Sequence, residues 1–199
     1  MKWSWSSLVE RRRGEEEEEP WLWIFGYGSL IWKPGFAYAE SQKAVLPGWR
    51  RGFWQGNTSH RGTKLLPGRV ATIREEPGCE VLGLAFRVSG LEAILAALDH
   101  LQVREIDAGY VYQRVRLALP HSRKPIHALT VVAKPGNPDW LGLEESEEEL
   151  AAVIAAAEGP AGPNRDYLFN LTAALAAHFP AHSEPALLSL EQRVRSRLS

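Results

Sequence analysis

Between Trp21 and Ala133 apolar residues fall in short runs punctuated by glycine and proline. Ile24–Gly28 reads as a short buried strand. Gln42–Trp54 reads as Ala44-Val45-Leu46, a Pro47-Gly48 turn, then Trp49–Trp54. Val70–Ile73 runs toward a turn at Pro77-Gly78. Val81–Val88 alternates, with Leu82, Leu84, Phe86 and Val88 on one face. Val111–Leu119 alternates as well, with Val111, Val115, Leu117 and Leu119 together, and His127–Ala133 closes the set. Short strands with such turns predict a barrel or a strongly curled sheet. Leu91, Ile94, Leu95, Leu98 and Leu101 recur at helical spacing and place one amphipathic helix among the strands.

After Pro138 the pattern turns helical. Ser146-Glu147-Glu148-Glu149 reads as a capping box before Leu150, Val153 and Ile154. Gly159–Pro163 breaks that helix, and Asn164 is placed to cap the next, with its stripe Leu168, Leu171, Leu175 and Phe179. A last helix near 185–198 carries Leu187, Leu190, Val194 and Leu198. The expectation is an α+β fold, a compact β-barrel with flanking helices and a helical C-terminal third.

At 199 residues, one domain can bury about 70% of its extended-chain surface. Arg11–Arg13 and Glu15–Glu19 make residues 1–20 read as a charged, disordered extension, with a single folded domain over 21–199. A net charge of −1 gives nucleic acid or an anionic membrane nothing to recognise. No apolar run has the length of a membrane span. The lone cysteine, Cys79, excludes an internal disulfide framework and fits a reducing, cytoplasmic setting. Eight tryptophans, seven of them at or before Trp54, suit an aromatic core slightly better than an aromatic-lined pocket.

The chemistry centres on Gly26-Tyr27-Gly28-Ser29-Leu30. Glycines around a tyrosine, set between apolar runs, suit either a tight turn or main-chain N–H groups offered to a ligand; the two readings stand even. A dinucleotide loop is excluded, because Ile31 stands where the third glycine belongs and no βαβ alternation follows. A nucleophile elbow is excluded too, since Tyr27 and Ile31 flank Ser29 where glycines are needed; Ser29 is read as a binding group. His178 and His182 are spaced like ligands, but Pro180 breaks the helix they need, so no metal is expected. Glu105 sits between Val103 and Ile106, where burial would raise its pKa toward that of a general base. On residue chemistry alone, a surface glutamate paired with Arg104 is the stronger reading.

Phe25-Gly26-Tyr27-Gly28-Ser29-Leu30-Ile31-Trp32 resembles the N-terminal signature of ChaC-type γ-glutamylcyclotransferases. Further stretches resemble that family in the same order: Arg51 with Phe53–Gly56, His60-Arg61-Gly62, Pro67–Val70, Arg104-Glu105 with Gly109-Tyr110, Asn137-Pro138 with Leu141-Gly142, Gly159–Asn164, and Tyr167-Leu168-Phe169. The resemblance implies a glycine loop and an acidic residue facing one cavity, and intramolecular aminolysis of glutathione to 5-oxoproline and cysteinylglycine. It implies Glu105 as proton acceptor, and Ile24, Phe25, Gly26, Tyr27, Gly28, Ser29 and Leu30 as the substrate-binding loop. Tyr167 is a further pocket residue under the same resemblance. No cofactor or metal has a task, and no nucleic acid, membrane or partner subunit is expected. Where the family often has two glycines before the tyrosine, this chain has Ala108-Gly109. Two other readings stay open: a cyclotransferase for other γ-glutamyl amines or dipeptides, and a non-catalytic γ-glutamyl ligand sensor.

Overall fold

The computed structural model describes residues 19–142 and 145–198. Most of the charged N-terminal stretch, with Trp3 and Trp5, therefore lies outside the described residues. The chain divides into two compact units, one of residues up to Trp49 with Glu75–Val132, the other of Arg50–Arg74 with residues from Ala133 onward.

The first unit is built on β1 (Trp21–Gly26), which pairs antiparallel with β3 (Gly68–Ser89) from Trp21↔Ser89 to Gly26↔Leu84. On its other side β1 meets β5 (Ile126–Ala133) in parallel at Ile24↔Leu129. With β2 (Glu40–Asn57) and β4 (Tyr110–Leu117), the five-stranded sheet runs β2-β3-β1-β5-β4. The ladder does not close into the barrel expected from sequence. Its two edges meet at one bridge, Val45↔Ala118, through reciprocal 2.9 Å hydrogen bonds.

The two turns expected at Pro47-Gly48 and Pro77-Gly78 are absorbed into long strands, β2 and β3. β2 lies at a sheet edge, where proline's missing N–H costs no ladder bond, and Gly48 takes φ 78° so the strand bends without ending.

Helix α1 (Leu91–Leu101) buries Ile94, Ala97 and Leu101 against Leu22, Ile24, Leu30 and Val88. Leu91 and Leu95, expected in its apolar stripe, face outward. The aromatic-core expectation holds for Trp23 alone among the described tryptophans; the other five are partly exposed.

In the second unit, α2 (Glu147–Ala156) starts with the expected capping box, Ser146 accepting from the Glu149 N–H at 3.2 Å and Glu149 accepting from the Ser146 N–H at 2.9 Å. A small hairpin of β6 (Glu158–Gly159) and β7 (Gly162–Pro163) leads into α3 (Asn164–His178), and α4 (Pro185–Ser196) follows. Asn164 does not cap α3. It is fully buried as the helix's first residue, accepting from the Arg69 N–H at 2.7 Å and donating to the Arg69 carbonyl at 2.8 Å.

Candidate active site

The loop leaving β1 turns back on itself immediately. A side chain at Gly26 would put its Cβ 2.7 Å from Leu30 Cβ and 3.2 Å from the Phe86 ring, so only glycine lets the turn close here. Ser29–Ile31 forms one 3₁₀ turn, closed by Ile31 N–H donating to Gly28 O at 3.0 Å and Lys33 N–H to Ser29 O at 2.9 Å. Among the described residues, the N–H groups of Gly28, Ser29 and Leu30 have no acceptor, as the first donors of a helical turn do.

The side chains around this turn are largely committed to structure. Ile24, Phe25 and Leu30 are buried in the core, and Thr130 donates to the Phe25 carbonyl at 2.8 Å. Tyr27 is buried and donates its hydroxyl to Val131 O at 2.7 Å. This leaves the Ser29 hydroxyl and the main-chain N–H groups as the loop's chemical offering.

Glu105 follows α1 by way of a π-helical turn, Gln102–Ile106, sealed by Asp107 N–H donating to Gln102 O at 2.9 Å. Such turns carry one extra residue and are frequent at functional positions. The chain then leaves through Gly109 at φ 91°, so the second position of Ala108-Gly109 carries the left-handed geometry.

The Glu105 side chain is only 14% exposed, and its Oε1 accepts from Arg104 Nε at 2.8 Å. Burial pushes its carboxyl above the usual carboxylate range, and the charge and hydrogen bond of Arg104 offset part of that rise. The glutamate is paired with Arg104, as one sequence alternative expected, and it is partly buried rather than on the surface. Arg104 also donates from Nη2 to Ser29 Oγ at 2.6 Å and from Nη1 to the carbonyls of Lys33, at 2.5 Å, and Pro34, at 3.4 Å.

The structure therefore brings Glu105 and the glycine loop together through Arg104. The sequence offers this arginine as a partner of Glu105 within a family-like stretch, and nothing in it points to Ser29. His100, one turn earlier, is held below the usual imidazole pKa by burial and by Arg104, against a raising hydrogen bond to Pro34.

Tyr167 lies in the second unit, on α3. It is buried, stands edge-on to Phe53 with centroids 6.2 Å apart, and accepts from the Ala71 N–H at 3.3 Å. The same unit joins several of the family-like stretches. Arg61 donates to Pro163 O at 3.1 Å, Ala161 N–H to His60 O at 2.8 Å, and Asn137 to Gln55 at 3.0 Å. Among the described residues no cluster of histidine, cysteine and carboxylate side chains could hold a metal ion. No helix among them is long and apolar enough to cross a membrane.

An α+β fold that ties a buried carboxylate to a glycine turn through one guanidinium defines a class of protein rather than one activity. Comparison with known proteins narrows it. The family model for ChaC-like proteins matches residues 22–197, and the chain belongs to that family. It is 40% identical over 173 residues to glutathione-specific gamma-glutamylcyclotransferase 1 of Danio rerio, across 85% of this chain and 87% of the relative. It is 44% identical over 153 residues to the Homo sapiens protein of the same name, across 75% and 68%. A crystal structure of a gamma-glutamyl cyclotransferase specific to glutathione from yeast is similar with a TM-score of 0.80 and 27% identity, covering 88% of this chain and 96% of that one.

Proposed function

We propose that the protein is a γ-glutamylcyclotransferase that cleaves glutathione to 5-oxoproline and cysteinylglycine. The observation that carries this reading is the hydrogen-bonded series Glu105–Arg104–Ser29, a partly buried carboxylate beside a turn with unpaired N–H groups. The relatives' names supply the substrate.

The reaction needs no protein nucleophile, because the substrate's own α-amine attacks its γ-carbonyl carbon. That amine is an ammonium at neutral pH and must first lose a proton. Glu105 takes it; its raised pKa brings the carboxylate closer to the amine it serves. A C–N bond forms to the γ-carbon, negative charge develops on the carbonyl oxygen, and N–H donors at Gly28–Leu30 stabilise it. Glu105 returns that proton to the cysteinyl nitrogen as its bond to the γ-carbon breaks. It then carries the second proton of the attacking nitrogen to the same leaving amine, so the lactam keeps one N–H and cysteinylglycine leaves as an ammonium. No water is consumed. Holding the γ-glutamyl chain curled for five-membered closure is an orientation task suited to a fitted cavity.

Ile24, Phe25, Gly26 and Tyr27 serve by fixing the loop, and Tyr167 is assigned to the pocket. Residues 21–199 act as one catalytic domain, a reading supported by the single family match over 22–197 and by β2 and β3 running through both units. The curled sheet serves as an incompletely closed barrel, and the protein works as a cytoplasmic monomer.

Incubating the purified protein with glutathione and analysing the products by mass spectrometry tests the activity. Equimolar 5-oxoproline and cysteinylglycine are expected. Turnover of γ-glutamyl-alanine with none of glutathione would instead assign it to other γ-glutamyl amines.

A further inference from the structure

We infer that Arg104 is a positioning residue that locks the Glu105 carboxylate and the Ser29 hydroxyl into one unit and leaves the Ser29 proton directed to the substrate. The geometry stands by itself, while the chemistry it serves rests on the cyclotransferase reading above.

A guanidinium only donates, through a planar fork of five N–H groups. Here the fork is spread over Glu105 Oε1, Ser29 Oγ and the carbonyls of Lys33 and Pro34. Because Ser29 Oγ accepts from a cation, its own O–H must point elsewhere, and among the described residues no acceptor takes it. Engaging the oxygen's lone pair with a positive donor strengthens the O–H as a donor in turn. A hydroxyl so arranged suits an anionic oxygen, either a substrate carboxylate or the carbonyl oxygen on which charge develops. Lysine cannot stand in, since one compact ammonium cannot span the separated Nε and Nη positions.

The same contact bears on the base. Arg104 acts directly on Glu105; Glu105 acts in turn on Tyr112 of β4, together with Asp107 and with Asp99 of α1, and Arg104 also acts on His100 of α1. Burial and the negative charges of Asp99, Asp107 and Glu105 all raise the Tyr112 phenol, which is therefore neutral. His100 is held toward its neutral form. Arg104 is the permanent cation of this set, so removing it raises the Glu105 pKa further.

The test uses Arg104→Gln, Arg104→Lys, Ser29→Ala and the Arg104→Gln/Ser29→Ala pair, each checked for folding. Glutathione turnover is followed against pH, and the Glu105 carboxyl carbon is titrated by NMR in glutathione-free protein. In Arg104→Gln the NMR midpoint and the acidic limb of kcat/KM are expected to move up by about one pH unit or more. Ser29→Ala is expected to lower kcat/KM about tenfold in the native background, but to cost little once Arg104 is gone. If Arg104→Gln does not fold, Arg104→Lys decides. It should keep the limb within about half a pH unit, because the charge remains, yet lose about tenfold in kcat, because the fork is gone. An unmoved Glu105 titration, or additive Ser29 and Arg104 effects, overturns the inference while leaving the activity standing. Absence of 5-oxoproline from the native protein overturns the functional reading instead, and the NMR titration still decides the role of Arg104.

Discussion

Arg104 Nη2 lies 2.6 Å from Ser29 Oγ, joining residues 75 apart in the chain. The arginine's other arm holds its sequence neighbour Glu105 at 2.8 Å. One side chain thus ties the turn after β1 to the segment after α1. The turn is also held by its own hydrogen bonds, by the packing of Leu30 and Ile31, and by the Tyr27 hydroxyl on Val131 O. The proposed chemistry depends on that tie, because a base works only within hydrogen-bond reach of the proton it removes.

Glu105→Gln removes the base but keeps the shape and one acceptor. Glutathione turnover is expected to fall about 10²- to 10⁴-fold. Circular dichroism and the thermal midpoint should show an intact fold, and retention of native turnover would remove Glu105 from its proposed role.

Stability should carry the mark of the same carboxyl. Glu105 has a folded pKa above its unfolded value, so the folded state binds its proton more tightly. The stabilisation from protonated Glu105 is full below the unfolded pKa and is lost as pH rises through the folded pKa. Native protein and Glu105→Gln should therefore have similar Tm near pH 4, with native falling progressively below the variant as pH rises toward neutrality. A gap that is constant with pH would contradict the raised pKa.

Gly26→Ala forces a Cβ to 2.7 Å from Leu30 and 3.2 Å from Phe86. Overpacking of this kind costs about 1–3 kcal/mol. The denaturant midpoint should drop accordingly, and activity should drop further than stability alone explains, because the loop must shift. A neutral substitution would show that the turn has slack the structure does not.

Asn164→Ala deletes both side-chain bonds to Arg69 at a fully buried site. The Arg69 N–H and carbonyl each lose a partner, at about 1–3 kcal/mol per unsatisfied buried group. Urea unfolding should show a loss in that range or above, and amide exchange at Arg69 should accelerate.

Much of this was legible in the sequence, for local reasons. The Ser146–Glu149 capping box is a four-residue signal and forms as expected. The spacing of Ile94 and Leu101 marks α1 correctly, but Leu91 and Leu95 face outward because burial depends on what lies opposite, which periodicity does not encode. Pro47-Gly48 and Pro77-Gly78 mimic turns because the residue types that end strands also bend them. Asn164 shows the same ambiguity: a good capping residue spends its amide on a distant backbone instead. At the site, the glycine loop and Glu105 could be read from the ordered motifs. The role of Arg104 could not, since adjacency to Glu105 says nothing of Ser29, 75 positions away.

The π-helical turn after Leu101 makes α1 a register gauge. Leu101 is anchored in the core, and four residues later the chain must present a carboxylate and a guanidinium to the same turn. Each residue added or removed in between swings that presentation by about 100° around the helix axis. The exposed side chains of Gln102 and Val103 can be exchanged without moving the site, but the length of the stretch cannot change, so insertions and deletions set the limit on how these two positions can vary.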